Sequence, residues 1–233
     1  MEMPPESASS DVLLDTYGVH HEAMLAADPR TSLVHADFAP RQEDLRTAME
    51  AREAAERALV AAEALRARAE IDVETIIRKI DLSLLGAVNK KRDADPYRRV
   101  LPANLEGALR PVGAAQAAEG VRIADLVAPP EGTAPVPGLP GEAPPLGVEL
   151  RAACVILDER SKAAERAAQA LDAAFLTELS ERRRWREQYR KSHGRLTGIF
   201  GTDSRTIESF FKKPARSKKK KDTTTTTTEP NGA

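Results

Sequence analysis

The residues of this chain whose types and spacing could do chemistry crowd into one stretch, Arg182 to Gly201, RRRWREQYRKSHGRLTGIFG. Seven cations fall between Arg182 and Arg195, with Trp185, Tyr189 and His193 among them. Cations that neutralise phosphates, interleaved with aromatics that stack on bases, are what a single-stranded nucleic-acid grip needs. On a helical wheel the two sets separate instead. Trp185, Tyr189 and Leu196 share one stripe with Arg182 at its edge, while Arg183, Arg184, Arg186, Arg190, Lys191 and Arg195 spread around the remaining surface. The stripe therefore reads as part of a helix seam and the cations as a solvated rim. Arg182 is expected to snorkel from the seam's edge. Glu43, Asp44, Glu50, Glu53 and Glu56 are expected to face that rim from an antiparallel neighbour.

A denser basic run lies further on. Lys212, Lys213, Arg216, Lys218, Lys219, Lys220 and Lys221 form a low-complexity tail with six threonines behind them. Such a run binds phosphate backbone without sequence preference and loses its hold as salt rises. Just before it, Ile207, Phe210 and Phe211 make the apolar face of a short helix that Asp203 or Ser204 could cap. That face can fold back over the chain or dock into a partner's groove.

Other chemistry is thinly represented. His20 and His21 are adjacent, so their side chains diverge on a helix, and no HExxH or Glu-x-x-His spacing occurs. Nucleotide-binding glycine motifs and GxSxG are absent, and Cys154 is the single cysteine. It reads as a small residue on a seam's flank. The expectation is a protein that is not an enzyme and needs no catalytic residue, metal or cofactor.

Composition sets the elements that must position these residues. The 233 residues are 41% apolar and 30% charged, but aromatics supply only 4%, so alanine carries much of the apolar share. Small apolar residues with many charges suit long helices packed along narrow seams rather than a thick core. The net charge of −1 gives the whole molecule no strong pull on nucleic acid or anionic membrane. The start, MEMPPESASSDVLLD, has no basic region followed by an apolar run, and no stretch is long and apolar enough for a membrane span. A cytoplasmic protein that avoids membranes is expected.

Along the chain, residues 1–40 form an N-terminal segment with a short helix from Asp11 to Ala27, interrupted by Gly18. Pro40 then stands as start punctuation for a long helix over 41–93. Its seam, counted in threes and fours, runs Leu45, Ala48, Ala51, Ala55, Ala58, Ala62, Leu65, Ala69, Val73, Ile76, Ile80, Leu84 and Ala87 with no polar member. Residues 94–147 are a connector with a short helix over 112–127 and an extended proline-rich linker from Pro129 to Gly147.

A second long helix occupies 148–200. Its seam reads Leu150, Ala153, Leu157, Ser161, Ala164, Ala168, Leu171, Phe175, Leu179, Arg182, Trp185, Tyr189 and Leu196. A short helix over 201–213 and a disordered tail over 214–233 complete the chain. Two helices of roughly fifty residues each, about 75 Å long, joined by one connector, make an all-α, coiled-coil-like antiparallel hairpin. Its expected role is structural, through association with itself or another helical protein. Nucleic-acid association through the basic tail is the alternative.

Overall fold

The computed structural model describes residues 3–134 and 136–212. It is 79% helical with no strand among the described residues, and its two long helices pack against each other, as the all-α hairpin requires. A π-helix, Val12–Gly18, leads into α1, Val19–Ala27. A 3-10 turn, Pro29–Thr31, opens into α2, Ser32–Ala87. The connector holds α3, Tyr97–Val100, α4, Asn104–Leu109, and α5, Ala114–Val127. The second long helix is α6, Ala143–Phe200, and α7, Ser204–Ser209, follows it. The tail expected over 214–233 lies outside the described residues.

Several boundaries differ from the expected ones for local reasons. Pro40 does not start a helix; it lies inside α2, whose beginning is set eight residues earlier by Asp28, which accepts from the Arg30 amide and caps the 3-10 turn. The far end of α2 falls at Ala87 rather than Asp93. Asn89 and Lys90 adopt left-handed backbone, and the Lys90 amide returns to the Leu85 carbonyl at 2.8 Å. At the start of α6, Pro144 and Pro145 are helical. A helix's first turn has no use for the amide hydrogens that prolines lack, so the linker expected to run extended to Gly147 ends at Glu142.

The chain divides into two compact units, residues 1–46 with 181–233, and residues 47–180. In both, α2 and α6 run antiparallel. Arg195 pairs with Asp37 in the first unit, while Arg52 pairs with Glu178 and Lys79 with Glu149 in the second. As the number on one helix rises, the number on its partner falls.

The second unit's core gathers where the connector folds onto the helix pair. Val73, Ile77, Ile80 and Leu84 of α2, Leu150, Cys154 and Leu157 of α6, and Tyr97, Val100, Ile123, Ala124 and Val127 between them are buried together. Gly120 permits the close approach of α5, because a Cβ there would lie 2.3 Å from the Cys154 sulfur. Glu70 holds the start of α5 by accepting from the Gly113 amide at 2.8 Å, and Arg151 holds its end by donating to the Ala128 carbonyl at 2.7 Å. Tyr97 donates its hydroxyl to the buried Asp81 carboxylate at 2.7 Å. These bonds satisfy polar groups that the connector would otherwise bury alone.

Candidate functional site

The seams differ from the counted ones, and the difference is where charge enters. Along α2 one line of covered positions runs Leu45, Ala48, Arg52, Ala55, Leu59, Ala62, Arg66, Ala69, Val73, Ile76 and Ile80, a regular alternation of threes and fours. Ala51, Ala58 and Leu65, expected in the seam, are exposed, and Leu59 and two arginines replace them. Along α6 the alternation is unbroken from Ala143 through Gly147, Leu150, Cys154, Leu157, Ser161, Ala164, Ala168, Leu171, Phe175, Glu178, Arg182, Trp185, Tyr189 and Ser192 to Leu196. Each of these is buried or half-buried except Phe175. A strict seven-residue repeat keeps its phase by supercoiling, so position in the repeat outranks polarity at any one place.

Most of the polar members find partners; Arg66 Nε is buried without a hydrogen bond, 3.7 Å from Glu70 Oε1. Arg52 Nε donates to Glu178 Oε2 at 2.6 Å, and Arg52 also reaches Glu56. Glu178 is 7% exposed, and its neighbours across the seam are largely alanine. Ser161 and Ser192 turn their hydroxyls onto carbonyls of their own helix, at 2.8 and 3.0 Å. Ser192 fills the place between Tyr189 and Leu196 that holds no apolar residue.

Away from the connector, the second unit is covered less completely. Val60 is 62% exposed, Leu65 and Phe175 are each 49% exposed, and Leu176 is 66% exposed. Phe175 occupies a seam position and is still half in solvent. A single helix pair buries one stripe on each member, and alanines opposite a phenylalanine are too short to cover it.

In the first unit the expected stripe is fully internal, with Trp185, Tyr189 and Leu196 each 0% exposed. Trp185 stacks on Tyr189 with centroids 4.9 Å apart, beside Phe38. The Trp185 indole donates to Gln42 Oε1 at 2.8 Å, and Gln42 Nε2 donates to the Leu14 carbonyl at 3.1 Å. Gln42 thus joins α2, α6 and the π-helix. Sequence reasoning passed over it, because a glutamine beside a helix start carries no signal of its own. Gly18 allows the approach, since a Cβ there would lie 2.2 Å from Gln42 Oε1.

The basic rim does not meet the acids expected to face it. Asp44 pairs with Arg41, Glu43 with Arg46, Glu53 with Arg57, and Glu56 with Arg52, each within its own helix. Neighbours three or four residues apart on one helix meet without any tertiary adjustment, which favours these pairs. Two of the α6 arginines turn to main chain instead. Arg186 donates to the carbonyls of Pro4, Pro5 and Glu6, and half-buried Arg182 to that of Ala8. Burial, with Arg182 adding to it, lowers the Arg186 pKa. The proline-rich start is thereby fastened to the helix pair.

The C-terminal candidates are also internal. Gly201 leaves α6 at φ +61, Asp203 caps α7 by accepting from the Thr206 amide at 3.0 Å, and Ile207, Phe210 and Phe211 are buried in their own unit. His20 and His21 bond the Ser209 and Phe210 carbonyls at 3.0 and 2.9 Å. Lys212 is exposed, whereas Lys213, Arg216, Lys218, Lys219, Lys220 and Lys221 lie outside the described residues.

No protein-family model, curated protein or solved structure matches this chain.

Its function must therefore be read from the site alone. Among the described residues no group of three or more His, Cys, Asp or Glu could hold a metal, and no helix is long and apolar enough to cross a membrane. Burial pushes the Cys154 thiol up to about 11, so it is protonated at neutral pH and a poor nucleophile. Two of the surface depressions among the described residues are open ones. One of about 570 Å³ is lined by Lys79, Leu82, Ser83, Glu142, Pro145 and Leu146, and another of about 440 Å³ by Arg41, Arg184, Glu187, Gln188 and Lys191. In the first, Ser83 Oγ is buried with no hydrogen-bond partner among the described residues, so neither Lys79 nor Glu142 is bonded to it.

Proposed function

We propose that the chain is a non-enzymatic scaffolding protein whose helix pair acts through self-association. The observation that carries this reading is the half-exposed Phe175 at a seam position, with Leu176, Val60 and Leu65 exposed in the same unit. A seam that carries a phenylalanine and leaves it half in solvent gains free energy when another helix covers it. Full burial of such a side chain is worth about 1.5–3 kcal/mol. The in-line pair of Arg52 and Glu178 suits the same role, because a charge pair within an alanine seam fixes register more than it adds stability.

Light scattering coupled to size-exclusion chromatography tests the reading. The wild-type chain is expected at a multiple of 25.3 kDa, and Phe175→Asp with Leu176→Asp is expected to return it to one chain's mass with its helicity by circular dichroism retained. A wild-type mass of one chain across the micromolar range, or an unchanged oligomer in the double variant, overturns it.

A further inference from the structure

The C-terminal segment is held by an arrangement with its own chemistry. Two consecutive histidines of α1 bond two consecutive carbonyls at the end of α7, His20 Nε2 to Ser209 and His21 Nδ1 to Phe210. A carbonyl only accepts, so each of these ring nitrogens carries the proton. In neutral His21 the remaining nitrogen, Nε2, is therefore an acceptor, and it is buried with no hydrogen-bond partner among the described residues.

The surroundings of His21 are aromatic. Phe38 meets it edge-on at 4.7 Å, Tyr189 lies tilted at 4.8 Å, and Phe211 stacks on it at 4.8 Å. The titratable and charged groups around this cluster belong to every element packed there. They are His20 and Glu22 on α1, His35 on α2, which Glu22 faces at 3.8 Å, Tyr189 and His193 on α6, Tyr17 on the π-helix, and Arg205, Glu208 and Lys212 on the C-terminal segment. None bonds His21 Nε2.

The segment is held by contacts with the rest of its unit rather than by its own helix. A helix of six residues is too short to persist alone. It joins α6 through Gly201, whose left-handed backbone a glycine adopts, and leaves, at little steric cost. Its anchors include the two histidine bonds, buried Ile207, Phe210 against Phe200, and Phe211 against His21, Tyr189 and His193.

We propose that residues 204–212 form a proton-released latch: neutral His21 closes it, and protonation of His21 opens it about Gly201, exposing Ile207, Phe210 and Phe211. A second ring proton on Nε2 would be a buried donor facing aromatic faces with no acceptor bonded to it. Opening hydrates the imidazolium and gives up the stacking of Phe211. Burial is the main cause that holds the His21 pKa down to about 4, with the Phe210 bond opposing it and His20 assisting. A group with that folded value and an ordinary value once hydrated favours opening progressively as pH falls from about 6.5 toward 4. The latch does not depend on the self-association proposed above, because its parts all belong to the first unit.

Hydrogen exchange by mass spectrometry on the full chain, corrected for intrinsic rates, tests the latch at pH 6.5 and 4.5. Protection over 204–211 is expected to fall about ten-fold or more, while α6 around Trp185 keeps its protection. His21→Asn, whose amide nitrogen falls at the place of Nδ1 and so retains a donor for the Phe210 carbonyl but does not titrate, is expected to remove the pH dependence. Unchanged protection over 204–211 in the wild type overturns the latch, as does an equal fall in His21→Asn or a fall shared with the Trp185 region. If His21→Asn does not fold, the His21 ring resonances in the wild type decide. Their titration must coincide with the loss of protection, and a titration with the segment still protected refutes the latch.

Discussion

Arg52 and Glu178 meet across the helix pair with Nε and Oε2 2.6 Å apart, inside a seam built mostly of alanine. The two are 126 residues apart in sequence, and their meeting fixes which heptad of α2 faces which heptad of α6. Alanine seams slide easily because every turn resembles the next, so one charged pair in line with them carries more register information than several alanines.

Removing one partner should cost more than removing both. Glu178→Ala leaves Arg52 half-buried without its main acceptor, and a loss of about 2 kcal/mol is expected in urea unfolding. Arg52→Leu with Glu178→Leu should recover most of that loss and broaden the transition as alternative registers become populated. A double-mutant cycle with a coupling below about 0.5 kcal/mol would contradict this assignment.

Gln42 offers a second check through the single tryptophan. Gln42→Leu strands the Trp185 N–H and one bond to the Leu14 carbonyl, and should destabilise the first unit by about 1–3 kcal/mol with a shift in Trp185 emission. Gly18→Ala should act in the same direction by displacing the Gln42 amide. Fluorescence-monitored unfolding of both variants measures it.

The contact between α5 and α6 is testable by shape alone. Gly120→Ala places a methyl group 2.3 Å from the Cys154 sulfur and should cost about 1–3 kcal/mol. Cys154→Ala opens the space, so the double variant should be more stable than Gly120→Ala alone. Thermal unfolding of the two single variants and the double variant decides it.

Tyr97 gives an alkaline signature. Burial, reinforced by the bond to Asp81, pushes its hydroxyl up to about 12. A folded pKa above the unfolded value of about 10 means that the unfolded chain releases its proton first. The stabilisation is full below about pH 10 and is lost as pH rises from about 10 to 12. Wild type should lose about 2–3 kcal/mol over that window beyond the loss seen in Tyr97→Phe, measured by urea titration at each pH.

Much of this architecture is legible in the sequence. The stripe of Trp185, Tyr189 and Leu196 follows from spacing alone, and these side chains are internal as that spacing requires. What counting along the sequence misses comes from preferring apolar residues at each step. Ala51 and Leu65 are more attractive seam members than Arg52 and Arg66, and Ala58 follows from Ala51 by one heptad, yet supercoiling preserves phase and accepts an arginine whose stem packs against the partner helix. The main-chain bonds of Arg182 and Arg186, and those of His20 and His21, have no sequence signal. Each acceptor is a carbonyl, which every residue carries.

The unbroken three-four alternation in α6 has a consequence for the spacing of everything carried along it. Excising seven residues from α6 together with the seven opposite them in α2 keeps every remaining side chain pointing as before, whereas excising five or six turns one side of the seam outward. Length that changes by matched heptads, about 10 Å at a time, leaves the seam in phase, whereas a change of three or four residues must be absorbed by local unwinding or overwinding.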